Sequence, residues 1–131
     1  MLNELTLYMR IGEEGFTRLV RAFYAQVPDD DILGPMYSRS VQEHGQTIGD
    51  AERRLREFLI QRFGGPDRYS QERGHPRLRM RHAPFRIDAR GAERWIALME
   101  RAMEETNIGE EHRAILRPYF RATAAHMVNT E

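Results

Sequence analysis

The chain has no cysteine and no lysine among its 131 residues. Without cysteine there are no disulfides, no thiolate catalysis and no Cys-based zinc or iron–sulfur centres. Without lysine, all 20 basic residues are arginine, and 20 acidic residues balance them to a formal net charge of zero. A neutral chain has no global electrostatic pull toward nucleic acid or an anionic membrane, so any anion binding must come from a local cluster. Long apolar runs are missing as well. Nothing approaches the roughly 18 apolar residues of a membrane helix. The opening M-L-N-E-L-T-L-Y-M-R carries an early Glu and lacks a signal-peptide core. A soluble cytoplasmic protein is expected, and the length suits one domain spanning 1–131.

What the chain does have is helical periodicity. Phe16, Leu19, Val20, Phe23, Tyr24 and Val27 form one stripe, which Pro28 stops. Ile48, Ala51, Leu55, Phe58 and Leu59 form a second, with Arg53, Arg54 and Glu57 read as facing away and Gly64-Gly65 as its end. Ala92, Trp95, Ile96, Met99, Ala102 and Met103 form a third, with Asp88 as its N-cap. Ile115, Leu116, Tyr119, Phe120, Thr123 and Met127 form the fourth, where Pro118 predicts a kink or a later start. No strand-like alternation and no repeat is present. The expectation is an all-α chain of four main helices, with 28–47 and 64–75 as long connections of the kind that carry function.

Residues 75–85 read H-P-R-L-R-M-R-H-A-P-F. In a helix, His75 and His82 would stand about 10 Å apart along the axis, too far to share an ion whose ligands lie about 2 Å away. The Glu-x-x-His spacing of di-iron bundles occurs only at Glu72…His75, where Gly74 and Pro76 interrupt a helix. Gly74-His75-Pro76 reads as a turn, with Pro76 at the first helical position. In a helix entered there, Leu78, His82 and Phe85 share one face, and Pro84 ends it soon after His82. A single histidine on an apolar face, flanked by arginines, suits an axial ligand to a flat apolar cofactor with anionic edges. Haem has that chemistry, and Arg79 and Arg81 flank His82 as candidate propionate partners. Six arginines against Glu72 between 68 and 86 also fit a solvated basic face, or a site for DNA or RNA phosphate.

The run G-H-P-R-L-R-M-R-H-A-P-F-R-I, preceded by G-G-P-x-x-Y-S, resembles the group II truncated haemoglobins. The likeness extends through R-A-F-Y-A-Q-V, A-E-R-R-L-R-E-F-L, A-E-R-W and M-V-N, nearly the whole chain. The resemblance implies a truncated globin, a two-over-two helical sandwich around haem b with the first helix nearly absent. It places the proximal iron ligand on His82 and polar distal residues on Tyr24, Tyr37 and Trp95. Ala51 occupies the position of many globins' distal histidine, with Leu55 a turn later and Phe58 on the same stripe. Two departures stand out. The stretch S-R-S-V-Q-E-H-G-Q-T-I-G-D is longer than usual and brings in His44 as a candidate sixth ligand, and R-F-G-G replaces the frequent Y-W-G-G.

The resemblance implies reversible binding of dioxygen and other diatomic gases, with an unidentified reductase as partner and a monomer or homodimer as the assembly. A haem enzyme on the same scaffold is the alternative, peroxidase-like or converting nitric oxide with oxygen to nitrate. Turnover with peroxide or nitric oxide separates it from a carrier. An arginine-rich nucleic-acid binder is the remaining reading, and it predicts salt-dependent affinity and no colour.

Overall fold

The computed structural model describes residues 3–82 and 85–130, with the side chain of Arg79 outside the described part. Pro84, expected to close the helix after His82, also falls outside. Every regular element among the described residues is helical. A 3-10 turn at Glu4–Thr6 leads into α1 (Leu7–Gln26), followed by α2 (Leu33–His44), α3 (Ile48–Arg62), α4 (Arg68–Arg73), α5 (Leu78–His82), α6 (Ala89–Glu105) and α7 (Glu110–Met127). None of these helices is long and apolar enough to cross a membrane.

The four expected stripes lie on α1, α3, α6 and α7. Each packs because its apolar positions repeat with the helical period. Helix α1 lies against α3 on one side and α6 on the other, while α6 also packs on α7. The core runs between these pairs and is dominated by Phe16, Leu19, Phe23, Leu59, Phe63, Met99, Met103 and Leu116, all at most 1 % exposed. Asp88 caps α6 as expected, accepting from the Gly91 N–H at 2.8 Å. After α3, Gly64 takes φ +100°, and a Cβ there would meet the Leu5 carbonyl at 2.0 Å. Only glycine fits that close approach.

Three expectations about the connections are corrected. The segment 28–47 is not an open connection, because most of it is α2. Its start is held from outside. Asp30 accepts from the backbone N–H groups of Ile32 (3.0 Å) and Leu33 (2.8 Å) and from Arg94 of α6 (2.7 Å). Burial pushes the Asp30 carboxyl up, and these hydrogen bonds outweigh it, leaving it below its ordinary value. Gly45, at φ 68°, then terminates α2.

The segment 64–75 likewise contains α4, pinned to α3 by Gln61–Ser70 bonds of 2.7 and 2.8 Å and by Arg68 on Glu57 at 2.7 Å, with Glu13 of α1 as Arg68's second partner. Finally, α7 starts at Glu110, well before Pro118, so the proline lies inside the helix and does not delay it. Helix α1 has its own interruption in regular helical dihedrals at Gly12, at φ 77° and ψ 166°.

Candidate functional site

A cleft in two adjoining lobes, of about 170 and 200 Å³, opens between α2, α3, α5, α6 and α7. Tyr37, Ala51, His82, Phe85, Trp95 and Met127 border both lobes, which therefore adjoin along these side chains. Ten of the sequence-selected residues line it: Tyr24, Tyr37, Ala51, Leu55, Phe58, Leu78, Arg81, His82, Phe85 and Trp95. The eleventh, Arg79, has its side chain outside the described residues. Most of the wall is aliphatic or aromatic, which suits a large flat apolar occupant.

His82 ends α5, a helix of five residues. Its Nδ1 lies 2.7 Å from the Leu78 carbonyl oxygen. A carbonyl can only accept, so Nδ1 carries the proton and the lone pair is left on Nε2. Phe85, expected on the same helical face, lies outside α5 but beside its histidine: the Phe85 N–H donates to the His82 carbonyl at 2.9 Å and the two rings are 6.1 Å apart. Pro76 is not the first helical residue, since α5 begins at Leu78 after Arg77 at φ 40°. His75 is exposed, and its Nδ1 accepts the Arg77 N–H at 3.1 Å, so its role is in the turn, as expected. His44 packs edge-on against Phe85 at 4.8 Å and does not border the cleft.

Three polar aromatics converge on the cleft from three helices. Tyr24 of α1 and Tyr37 of α2 bring their hydroxyls to 3.5 Å, with rings 5.7 Å apart and nearly perpendicular. Burial, and then the neighbouring Tyr37, push the Tyr24 phenol well above its ordinary value. Burial also raises Tyr37, opposed by hydrogen bonding with Tyr24 and Trp95. Both phenols therefore keep their protons beyond the usual range. Trp95 of α6 is wedged between Phe23 (5.2 Å) and Phe120 (5.6 Å), which fixes its indole plane.

The arginines are distributed differently from the expectation. Arg81 borders the cleft, but its Nε donates to the Pro76 carbonyl at 2.7 Å and its Nη2 to the carbonyls of Arg73 and His75. It staples the 73–77 backbone to α5. Arg54, read as facing away, instead lines the cleft together with Arg73. The Nε atoms of both are buried without a hydrogen-bond partner. Burial, and then the charge of Arg73, lower the Arg54 guanidinium below its ordinary value. Two like charges with unmet buried donors on one wall make a place for anionic groups. The signal for Arg54 was its register, because it falls three residues after Ala51 and four before Phe58, within the buried stripe. Arg73 had no comparable signal.

The bacterial-like globin family matches residues 6–129. A group 2 truncated haemoglobin of Bacillus subtilis is 38% identical over 122 residues, covering 93% of this chain and 87% of the relative. A two-on-two haemoglobin of Arabidopsis thaliana is 35% identical over 97% of this chain and 71% of its own length. Among solved structures, a thermostable haemoglobin of Thermobifida fusca superposes with a TM-score of 0.84 at 44% identity, covering 95% of this chain and 97% of that one. A truncated oxygen-avid haemoglobin of Bacillus subtilis superposes with a TM-score of 0.82 at 37% identity, over 94% and 98% of the two chains.

Proposed function

Because this chain belongs to the bacterial-like globin family, among the group II truncated haemoglobins, whose fold implies haem-based ligand binding, we propose that it binds haem b through His82 and holds dioxygen and other diatomic gases reversibly. The observation that carries this reading is the Nδ1 bond to the Leu78 carbonyl, which leaves the Nε2 lone pair of His82 in a cleft lined by apolar side chains. A carbonyl acceptor behind a ligating imidazole fixes its tautomer and orientation and raises its basicity. Haem would supply the ferrous iron that accepts a diatomic gas and moves electron density onto it.

The protein supplies the surroundings. Leu55, Phe58, Leu78 and Phe85 exclude water from the cofactor faces. Tyr24, Tyr37 and Trp95 hold donors where negative charge develops. Arg54 and Arg73, with buried Nε donors unmet, fit the propionates better than Arg81, whose Nε and Nη2 are engaged by carbonyls. An electron donor that keeps iron reduced completes the system.

The test is a visible absorption spectrum of the purified protein with added haem, before and after dithionite and carbon monoxide. One haem per chain, reduced by dithionite and shifted by carbon monoxide, is expected. Failure to take up haem would remove this function.

The arginine assignment has its own test, the transfer of haem to an acceptor protein. A charge-assisted hydrogen bond lost from a sheltered propionate is worth about 1.5–2 kcal/mol, so Arg54→Ala should release haem about 10- to 30-fold faster. Arg73→Ala should behave alike. Parent rates in both variants would sink the assignment.

A further inference from the structure

A five-residue helix cannot hold itself. Isolated helices need about 12–15 residues before they are even marginal in water, yet α5 carries His82 at its end. Its N-terminal side is stapled by Arg81 to the carbonyls before it. Its C-terminal side is held from the far end of the sequence. Just beyond α7, the Asn129 N–H donates to the Ile87 carbonyl at 2.9 Å, and its Oδ1 accepts the Ile87 N–H at 3.0 Å. Its Nδ2 donates to the Phe85 carbonyl at 2.7 Å and to the carbonyl of His82 itself at 3.3 Å.

We propose that Asn129 is a positioning residue for the proximal histidine, fixing the height and tilt of the His82 ring through the backbone that follows it. This rests on the reading of His82 as the iron ligand. The side chain uses both ends of its amide here, the oxygen toward an N–H and the nitrogen toward two carbonyls. No other residue type offers that pair at this length. An amide flip would set oxygen against carbonyl oxygens, so the orientation follows from the partners. The carbonyl of His82 thus receives two donors, Phe85 N–H and Asn129 Nδ2, while its ring gives a proton to Leu78. The ring is held at Leu78 and the backbone that carries it at Phe85 and Asn129.

Asn129 is itself exposed. Water can therefore take over its partners when it is removed, and the loss should fall on geometry more than on stability. Asn129→Ala should shift or broaden the iron–imidazole stretching band in resonance Raman spectra of the ferrous protein. It should speed haem transfer about 3- to 10-fold, as expected for one or two partly solvated hydrogen bonds. The melting temperature of the haem-free chain should move by less than about 3 °C, since a solvated bond contributes little to folding. Asn129→Asp separates the two ends of the amide. It keeps an acceptor for the Ile87 N–H, whose hydrogen exchange should stay slow, but turns oxygen toward Phe85 and His82, so its Raman band should change as in the Ala variant.

A parent-like band with parent haem transfer in both variants would overturn the proposal. His82→Ala runs beside them. If the parent band survives that substitution, the ligand assignment falls and takes this proposal with it. If the band disappears in His82→Ala but stays unmoved in the Asn129 variants, only the positioning role falls.

Discussion

His82→Ala should nearly abolish haem retention while leaving the helices in place. Partners that merely orient a metal-ligating histidine are worth about 10- to 100-fold in metal affinity, so loss of the ligand itself should reach or exceed the upper end of that range. Haem transfer to an acceptor should accelerate accordingly, and the iron–imidazole stretching band should vanish. His82 is half-buried at the end of a short helix, and among the described residues its ring bonds to a carbonyl one turn back. The haem-free variant should therefore melt within a few degrees of the parent, which separates ligand loss from unfolding. His75→Ala is the control. That side chain is exposed and, among the described residues, accepts the Arg77 N–H, so its removal should loosen the turn and leave haem transfer unchanged. The assignment fails if the His75 variant sheds haem while the His82 variant keeps the parent spectrum.

The four packing helices were legible because each carries an apolar stripe long enough to show its period, from Phe16 to Val27 in α1 and from Ala92 to Met103 in α6. Helix α2 was not. Ile32, Leu33, Met36 and Tyr37 do sit at helical spacing, but Gly34 and Pro35 interrupt that pattern at its start. Pro35 is tolerated in the first turn, where its missing N–H has no helical partner to lose. The helix is also held by Asp30 reaching Arg94, 64 residues away, a link no local window contains. That the histidine, the three polar aromatics and the apolar side chains would meet at one cleft was legible, partly from spacing and partly from family likeness. The outward reading of Arg54 failed for a definable reason. Arg54 was placed by its charge rather than by its register beside Leu55, and the carbonyls that occupy Arg81 come together only when α4 and α5 are folded. Asn129 lay in a recognised M-V-N, but its partners at 82, 85 and 87 are more than 40 residues away.

Trp95→Phe should speed oxygen release more than any other single change on the distal side. Bound dioxygen carries partial negative charge, and a hydrogen bond to such an acceptor is worth about 1.5–3 kcal/mol, or roughly 10- to 100-fold in release rate if nothing replaces it. Ala51 cannot replace it, having no polar atom on its side chain. The indole N–H is a donor only, and Phe23 and Phe120 hold its ring in place. The two phenols share a contact at 3.5 Å, so each can point its proton at the other or into the cleft. Removing one hydroxyl leaves the other free to turn inward. Tyr24→Phe and Tyr37→Phe should consequently change release by less, about threefold to tenfold. Carbon monoxide carries less negative charge on its outer atom and should respond weakly in all three variants.

The phenol shifts fix the pH dependence as well. Burial raises both from 10.0, so the neutral O–H form persists above the pH at which an unfolded tyrosine would ionise, and what the fold gains from it is lost only as pH rises beyond that point. Between about pH 6 and 9, well below an ordinary tyrosine pKa, oxygen release from the parent should therefore show no step from either phenol. Stopped-flow release of both gases from the three variants is the measurement. Oxygen rates within about twofold of the parent in all three would transfer control of the ligand away from these donors, to the segment 38–50 that follows Tyr37.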